Sequence, residues 1–381
     1  MMIHRRLKTL LNSRTVDSDH PLLFSGHQMG GGPSAWAIEE LAKAGFPIYM
    51  TPSAATTLND ELDKVEALGI TIVSEDEANS LSSAVHRLEL KDFDFDLISK
   101  TFADYGVTLK DLSAIAVAVF DHGNAPAGVS DRQFRFDYLD ERIKAKNSLS
   151  AFAYLSNDIP KIMTRLQSVA NSANHLPCPL VVMDTAPAAV LGALYDFKIN
   201  FINSSLAPVA SGLATRKEVI VCNVGNFHTL AFRLGEKGIE GVFEHHTGEI
   251  DLAKLENLIY KLADGSLKHA DVFDDMGHGA LIYSDKKFEF SKDDFDIVVT
   301  GPRRNMFMES ASSLANKQEQ APVFQKLRPY FAVPFGDMML AGCFGLLSAT
   351  SEILPELAEP IQKSLRGANK RGVAPWDNLS S

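Results

Sequence analysis

The feature that most constrains the fold of this chain is a repeated order of apolar segment, glycine-containing turn and helical segment. LLFSG (22–26) runs into GHQMGGGP, and the following SAWAIEELAKAG (34–45) carries apolar residues at helical spacing. FPIYMT (46–51) and ITIV (70–73) are predicted strands, separated by a predicted helix over LNDELDKVEALG (58–69). Strands that alternate with helices predict an α/β fold with a largely parallel sheet.

The same order recurs in the middle of the chain. A buried strand is predicted within residues 102–123, and it delivers Asp121 and His122 at its carboxyl end, where ligands gather in open α/β sheets. The polar segment 127–160 is predicted to be a long, partly helical insertion over that edge of the sheet.

The later part of the chain indicates a second sheet. LVVMDTAPAAVLGALYD (180–196) predicts a strand followed by a helix of small residues that can pack closely against a neighbour. Within residues 218–249, apolar residues alternate on both sides of the turn NVGNFHT, which predicts an antiparallel meander. DFDIVVTGPRRNMF (294–307) predicts another strand, and GDMMLAGCFGLLSA (336–349) predicts a late apolar helix.

Length and charge narrow the class of protein. The 381 residues predict a first lobe over 1–195, a second over 196–350 and a C-terminal helix and tail over 351–381. The net charge of −11 argues against a nucleic-acid partner. No apolar run approaches the roughly 18–20 residues of a membrane span. The basic start, residues 1–14, predicts an amphipathic helix and lacks a signal-peptide pattern, so a cytoplasmic protein is expected. The expected partner is a small-molecule substrate, and the sequence is compatible with an oligomer.

The cysteines exclude one kind of cofactor. Cys178, Cys222 and Cys343 are widely spaced within apolar sequence, which predicts reduced thiols. Neither a CxxC zinc site nor an iron–sulfur cluster is expected, because such sites take several closely spaced thiolates.

Two glycine-containing turns are candidate phosphate sites. The first lies between a strand and a helix, where backbone amides and the helix dipole attract anions, although it matches neither GxGxxG nor GxxxxGK[ST]. The second joins two strands of the meander. The first pattern is equally explained by a tight turn without a ligand, and the second by an ordinary hairpin with polar residues at its tip. The candidate contacts are Gly30, Gly31 and Gly32 in the first turn and Gly225, Asn226, His228 and Thr229 in the second.

Polar side chains at strand ends are candidates for catalysis. Asp184 follows the strand LVVM and precedes a helix, which suits a base or a ligand of magnesium-bound water and equally suits a helix cap. Histidines beside acidic residues could bind a metal or carry protons if they converge, and core or surface histidines give the same pattern. These histidines are His122, His228, His245, His246 and His278, and the turn Gly301, Pro302 and Arg303 could contact phosphate or ribose.

The order of these segments resembles the second half of the actin, sugar-kinase and heat-shock-chaperone ATPase superfamily. DTAPAAVLGAL, NVGNFHTLAF, VVTGPRR and GDMMLAGCFGLL follow one another as the connecting helix, phosphate turn, adenosine turn and second connecting helix do in that superfamily. The resemblance implies a two-lobed actin-like ATPase (ribonuclease H-like) architecture. It also implies ATP and Mg²⁺ as cofactors, and Asp184 as a base similar to that of hexokinase-type members.

Residues 22–345 resemble, more closely, a prokaryotic family within that superfamily, through segments such as SGHQMGGGPSAWAIEELAKAG, TPSAATTLNDEL, DHGNAP and EHHTGE. Its members often carry the label pyruvate formate-lyase activating enzyme. That label implies radical chemistry at a CxxxCxxC cluster, which the three cysteines cannot form, so the label is interpreted as a naming error.

The chain departs from this pattern in two places. The family begins with a DxGxGT phosphate hairpin, which nothing before LLFSG resembles, so the first lobe is expected to be incomplete at its N-terminus, with an unpaired strand edge near 22–26 or 46–51. Asn223 stands where an aspartate is common in the second phosphate loop. Both departures predict weakened ATP turnover, either because the chain is truncated or because its branch binds nucleotide weakly.

The leading hypothesis is an ATP-binding phosphotransferase or ATPase that works by positioning and charge stabilisation. The alternatives are a metal-dependent hydrolase or lyase that uses the histidines, and a non-catalytic nucleotide-binding regulator. Catalysis is predicted for Asp184, His122, His245 and His246, and metal binding is predicted for Asp121 and Asp184. The residues of the turns 30–32, 225–229 and 301–303 are predicted to contact the cofactor in a cleft between the lobes.

Overall fold

The computed structural model describes residue 7 and residues 20–201, 216–290, 294–308 and 327–368. Apart from Leu7, the predicted N-terminal helix over 1–14 lies outside the described residues, as does the tail beyond residue 368. The chain divides into two compact units. Unit 1 contains Met1–Asn124 and Ser156–Val182, and unit 2 contains Ala125–Leu155 and Met183–Ser381.

Strands and helices alternate through the described residues, so the predicted α/β class is confirmed. The strands are β1 Leu22–Gly26, β2 Ile48–Met50, β3 Ile70–Ile72, β4 His86–Leu90, β5 Ile115–Ala118, β6 Ala153–Leu155, β7 Leu180–Met183, β8 Val219–Val224, β9 His228–Gly235, β10 Gly238–His246, β11 Gly279–Ile282, β12 Ile297–Thr300 and β13 Pro329–Phe331. The α-helices are α1 Pro33–Lys43, α2 Pro52–Ala55, α3 Leu62–Glu66, α4 Glu75–Ser80, α5 Phe95–Asp104, α6 Asp131–Ala145, α7 Thr164–Ser172, α8 Thr185–Ala193, α9 Leu252–Asp264, α10 His269–Phe273, α11 Ala341–Ile353 and α12 Ala358–Ala368.

Unit 1 contains a four-stranded, fully parallel sheet in the order β3-β2-β1-β4. Leu22 and Phe24 of β1 are buried together with Ile38 and Leu41 of α1, which crosses between β1 and β2. The prediction of an unpaired edge near residues 22–26 or 46–51 is wrong, because β1 pairs with β2 and β4, and β2 pairs with β1 and β3. The outer strands are β3 and β4 instead.

The strand predicted within 102–123 is β5, a neighbour of β7 in a second, smaller sheet. The backbone N–H of Ile115 donates to the carbonyl oxygen of Pro179 at 2.9 Å, where these two strands begin. The strand was predicted to be buried, but all four residues of β5 are half-buried. Asp121 and His122 follow this strand, as predicted.

Unit 2 is built on a six-stranded sheet in the order β11-β10-β9-β8-β12-β13. The predicted meander is confirmed, since β8, β9 and β10 pair antiparallel in chain order. β12 then adds beside β8 in parallel, and β13 adds parallel to β12. The insertion predicted over 127–160 in the first lobe lies mostly in this unit, which contains Ala125–Leu155, while residues from Ser156 onward belong to unit 1.

The helix α9 covers one face of this sheet. Its N-terminus is capped by Asp251, whose side chain accepts a hydrogen bond from the backbone N–H of Lys254 at 2.8 Å, and Gly265 ends it in the left-handed conformation at φ +77°. Leu255, Leu258, Ile259 and Leu262 recur at helical spacing and are buried against β8 and β10. No described helix has the length and apolar character that a bilayer crossing requires.

The helices α8 and α11 cross with their backbones in contact, as the small residues of 180–196 predict. A Cβ atom on Gly345 of α11 would collide with the carbonyl oxygen of Ala188 in α8 and lie 2.8 Å from the backbone nitrogen of Gly192. Only glycine therefore allows this close approach. The crossing brings α8, which precedes β8 in the chain, into contact with α11, which follows β13.

Substitution of Gly345 by alanine tests this crossing. Alanine favours a helix over glycine by about 1 kcal/mol, but at this position its methyl group meets backbone that cannot move aside. We expect Gly345→Ala to lower the free energy of unfolding in urea by about 1–3 kcal/mol. Gly342→Ala in the same helix is the matched control, because nothing lies within 4 Å of its added Cβ, and it should be neutral or stabilising. Equal effects of the two substitutions would contradict the close crossing.

Candidate functional site

A buried arginine organises the polar interior of unit 2. The side chain of Arg135, in α6, is 0% exposed, and its Nη1 atom lies 2.5 Å from Oδ2 of Asp184. Its Nε atom donates to Oε2 of Glu244 in β10 at 3.3 Å. Asp184 follows β7, and its Oδ1 accepts a hydrogen bond from the backbone N–H of Ala186 at 3.1 Å, which caps α8. One cation therefore joins three elements that are distant in sequence.

The charges of this group follow from burial and mutual attraction. Burial alone would lower the pKa of Arg135, but Asp184 and Glu244 outweigh it and raise the pKa above the ordinary value. Burial also opposes ionisation of Glu244, yet Arg135, His278 and His228 bring its pKa well below the usual range. Burial raises the pKa of Asp184 in spite of Arg135. Arg135 and Glu244 are therefore charged at neutral pH.

Three histidines gather around Glu244. The antiparallel register of β9 and β10 pairs His228 with His246, and the register of β10 and β11 sets Gly279 opposite Glu244, which brings His278 alongside. The ring centroids of His228 and His246 are 5.2 Å apart, those of His228 and His278 are 4.9 Å apart, and those of His246 and His278 are 4.6 Å apart. We call these three residues the histidine cluster.

Each ring of the histidine cluster has its Nδ1 atom near an oxygen. Nδ1 of His228 lies 2.9 Å from Oε1 of Glu244, and Nδ1 of His278 lies 3.8 Å from the same atom. Nδ1 of His246 donates to the carbonyl oxygen of Met276 at 2.7 Å. Burial lowers the pKa of His278 to about 3 and also lowers the pKa of His246, so both are neutral at pH 7.

His245, which the sequence grouped with His246, lies on the other face of β10. Successive residues of a strand point to opposite faces, so Glu244 and His246 share a face that His245 does not. His245 is buried, and its Nε2 atom lies 3.5 Å from Oδ2 of Asp275, which also pairs with Lys254 at 2.8 Å. Its predicted catalytic role stays a prediction, separate from the histidine cluster.

The turn over residues 225–229 is closed by its own hydrogen bonds. The backbone N–H of Gly225 donates to the carbonyl oxygen of His228 at 2.9 Å, and Thr229 is buried with its hydroxyl 2.9 Å from that of Thr247. Asn226 is exposed at the tip. Of the predicted phosphate contacts in this turn, Asn226 is the most accessible.

The turn over residues 301–303 adjoins the first one. Gly301 has φ +98°, and a Cβ atom there would collide with the carbonyl oxygen of Val224. The backbone N–H of Arg303 donates to that same oxygen at 3.0 Å, while the side chains of Pro302 and Arg303 are exposed. Because Thr300 pairs with Asn223 in parallel strands, the two turns stand side by side at the carboxyl ends of β8 and β12.

The glycine turn of unit 1 holds a carboxylate of the protein itself. The backbone N–H of Gly30 faces both oxygens of Asp92 at 3.2 and 3.3 Å, and Arg165 pairs with them at 2.6 and 3.1 Å. A Cβ atom on Gly30 would collide with the Arg165 guanidinium. Gly31 and Gly32 continue the turn into α1. The anion at the predicted anion site is therefore Asp92.

The other predicted residues of unit 1 also have partners. The carboxylate of Asp121 accepts hydrogen bonds from the backbone N–H groups of Gly123 at 2.8 Å and Leu166 at 2.9 Å. The ring of His122 packs edge-on against Phe120, with centroids 4.7 Å apart. The metal role of Asp121 and the catalytic role of His122 stay predictions.

Sequence reasoning missed Arg135, Glu244, Asp92 and Arg165. Arg135 lies in the run FRF, and Glu244 lies in GVFEHH, so each is a charged residue at a position whose neighbours predict burial. A charge at a core position requires a partner of opposite charge, and this is the signal that could have found both.

These features define an α/β protein whose second unit carries a buried ionic group beside a histidine cluster. A family model described as "Putative pyruvate format-lyase activating enzyme (DUF1786)" matches residues 29–306, and the chain belongs to this family. No curated protein and no solved structure matches the chain significantly. The three cysteines of this chain, Cys178, Cys222 and Cys343, form no CxxxCxxC motif.

Removal of the Arg135 charge tests the buried ionic group. Arg135→Met leaves Asp184 and Glu244 buried without a counter-charge, and we expect it to lower the free energy of unfolding by about 3–5 kcal/mol in urea denaturation. Lys146→Met is the control, because Lys146 pairs with Glu352 at 3.0 Å on the surface and should contribute less than about 1 kcal/mol. A loss no larger than that of the control would refute a central role for Arg135.

Proposed function

We propose that this chain is an ATP-binding phosphotransferase or ATPase of the actin-like class, with residues 225–229 as its phosphate turn. The observation that carries the proposal is the strand order of unit 2. Three antiparallel strands in meander order, β10-β9-β8, are followed by two parallel strands, β12 and β13, and glycine turns end both β8 and β12. The order in which the resemblance places the connecting helix, phosphate turn, adenosine turn and second connecting helix is the order of α8, the turn after β8, the turn after β12 and α11.

The crossing of α8 and α11 supports the same assignment. The resemblance implies two connecting helices, one before the phosphate turn and one after the adenosine turn. α8 precedes β8, α11 follows β13, and their glycines meet. The two helices therefore have both the predicted order and the predicted close packing.

The turns offer a suitable surface for phosphate. The exposed tip at Asn226 carries no acidic side chain, and the exposed Arg303 on the adjoining turn supplies a positive charge. Asn223, in place of an aspartate, removes a negative charge that would repel phosphate, and it also removes a ligand for magnesium-bound water. We therefore propose that the protein binds ATP and hydrolyses or transfers its phosphate slowly.

Asp184 fits the role of a base better than the role of a metal ligand. Its Oδ1 atom accepts from Ala186, and its Oδ2 atom faces Arg135, so direct magnesium coordination would have to replace one of these contacts. Asp121 is held in the same way by two backbone N–H groups. The raised pKa of Asp184 brings this carboxylate nearer to the range in which a general base is effective.

Nucleotide binding is tested by calorimetry on the full chain, with ATP and ADP and with magnesium added. Asn226→Asp places a carboxylate at the tip of the phosphate turn, and we expect it to weaken ATP affinity about tenfold, or 1.4 kcal/mol. Ser266→Asp adds the same charge at an exposed position beyond the far end of α9, and it should leave the affinity unchanged.

The outcomes separate the proposed classes of protein. ATP binding with release of phosphate supports an ATPase, and formation of ADP without release of phosphate when a sugar is added supports a phosphotransferase. Binding without formation of ADP, with or without added sugars, supports a non-catalytic regulator. No heat of binding with ATP or ADP at millimolar concentration would overturn the proposal, and so would equal loss of affinity in the two variants.

A further inference from the structure

The helix α5 of unit 1 carries large apolar side chains that its own chain does not cover. No residue of this helix is buried. Ile98 is 37% exposed and Phe102 47%, and Tyr105, directly after the helix, is 85% exposed. The side chain of Asp94 accepts a hydrogen bond from the backbone N–H of Leu97 at 3.0 Å and caps the helix. Exposed apolar side chains that adjoin one another on one element mark an interaction surface, whereas singly scattered ones do not.

The spacing of these residues indicates that a second helix covers them. Four residues recur at intervals of three, four and three positions, which is the spacing of a seam between two helices: Phe95, Ile98, Phe102 and Tyr105. At about 100° per residue, the four positions fall within about 80° of the helix circumference. We call them the α5 stripe. A helix that packs on a core carries a wider apolar face, so this narrow stripe suits a helix–helix contact.

The charged residues of α5 lie away from the α5 stripe. Asp96, Lys100 and Asp104 recur at intervals of four residues, on the opposite side of the helix. The positions that flank the stripe carry Ser99 and Thr101, which are uncharged. The residues at these flanking positions select the partner of a helix pair by their charge. This helix therefore selects a partner helix that is also uncharged beside its seam.

A second copy of α5 satisfies these conditions. The chain carries a net charge of −11, so two copies repel each other at most parts of their surfaces. At the α5 stripe neither copy presents a charged side chain, and a two-fold axis sets the same patch against itself, as an isologous interface requires. An anionic membrane would instead be bound through lysine or arginine beside the apolar residues, and the flanking positions carry neither.

We infer that two copies of this chain associate through their α5 helices, packed antiparallel across a two-fold axis. With the midpoint of the contact at Lys100, Ile98 of each copy lies opposite Phe102 of the other. In the same register, Phe95 lies opposite Tyr105. The antiparallel direction also sets the partial positive charge at the start of each helix beside the partial negative charge at the end of the other. The inference does not depend on nucleotide binding.

The size of the α5 stripe predicts a weak dimer. A helix of 10 residues provides a contact at the small end of specific interfaces, where association is transient. Val107, which is exposed beyond the helix end, extends the apolar surface in sequence. We therefore expect the chain to change from monomer to dimer within the micromolar range of concentration.

Sedimentation velocity of the full chain, from low to high micromolar concentration, tests this association. Phe102→Asp would bury a carboxylate from each copy in the seam, and we expect it to raise the Kd of the dimer at least about tenfold. Ala103→Asp is the matched control, because it adds the same charge to the next residue, which is exposed and lies away from the stripe. It should leave the Kd unchanged. Circular dichroism reports whether each variant is folded. A monomer at every concentration, or equal weakening by the two substitutions, would overturn the inference.

Cysteine cross-linking tests the antiparallel geometry. In a background with Cys178→Ser and Cys343→Ser, the variants Ile98→Cys and Phe102→Cys are oxidised separately and as an equimolar mixture, while Cys222 is buried. We expect a disulfide-linked dimer mainly in the mixture, because Ile98 lies opposite Phe102. Cross-linking of each variant with itself would indicate a parallel pair and contradict the proposed arrangement. Binding of the chain to anionic lipid vesicles without self-association would assign the stripe to a membrane and overturn the inference.

Discussion

A single buried cation shared by two carboxylates fixes the interior of unit 2. Arg135 reaches Asp184 at the start of α8 and Glu244 in the middle of the sheet, and Glu244 in turn faces His228 and His278. Buried charges are costly to remove from water, so such a group is stable only when every member keeps its partner. The positions of the imidazoles therefore depend on an ion pair that begins on a helix from another part of the sequence.

The fold supports this group with rigid elements. His228 and His246 lie at paired positions of two antiparallel strands, and His278 immediately precedes a third strand of the same sheet. Side chains on strands are held more precisely than side chains on long loops. The glycine contacts between α8 and α11 keep the helix that begins after Asp184 close to its neighbour. The candidate site is therefore held by backbone pairing and close packing as well as by charge.

Local patterns in the sequence predicted the elements well and their long-range pairing less well. The alternation within 218–249 was enough for the meander, because the three strands are consecutive and their turns are short. The predicted open edge at β1 was wrong because β4, HRLEL, was not recognised as a strand. Its first, second and fourth residues are exposed and polar, as suits the edge of a sheet, so it lacks a continuous apolar run.

The candidate site shows the same limit. Asp184 was recognised as a cap or a base, and its cap is confirmed, but its partner Arg135 lies 49 positions earlier and nothing local connects them. Period-two alternation within GVFEHH could have separated His245 from Glu244 and His246, since the rule needs only the strand. The sequence alone does not show which distant residue of opposite charge pairs with each buried charged residue.

The glycine turn of unit 1 has a consequence for any anion that approaches it. Gly30 and Arg165 already bind the carboxylate of Asp92, which is part of the same folded unit and so is always present at high local concentration. A free phosphate must compete with this tethered group, whose effective concentration is on the order of millimolar or above. An anion would therefore displace the carboxylate of Asp92 only if it made further contacts of its own.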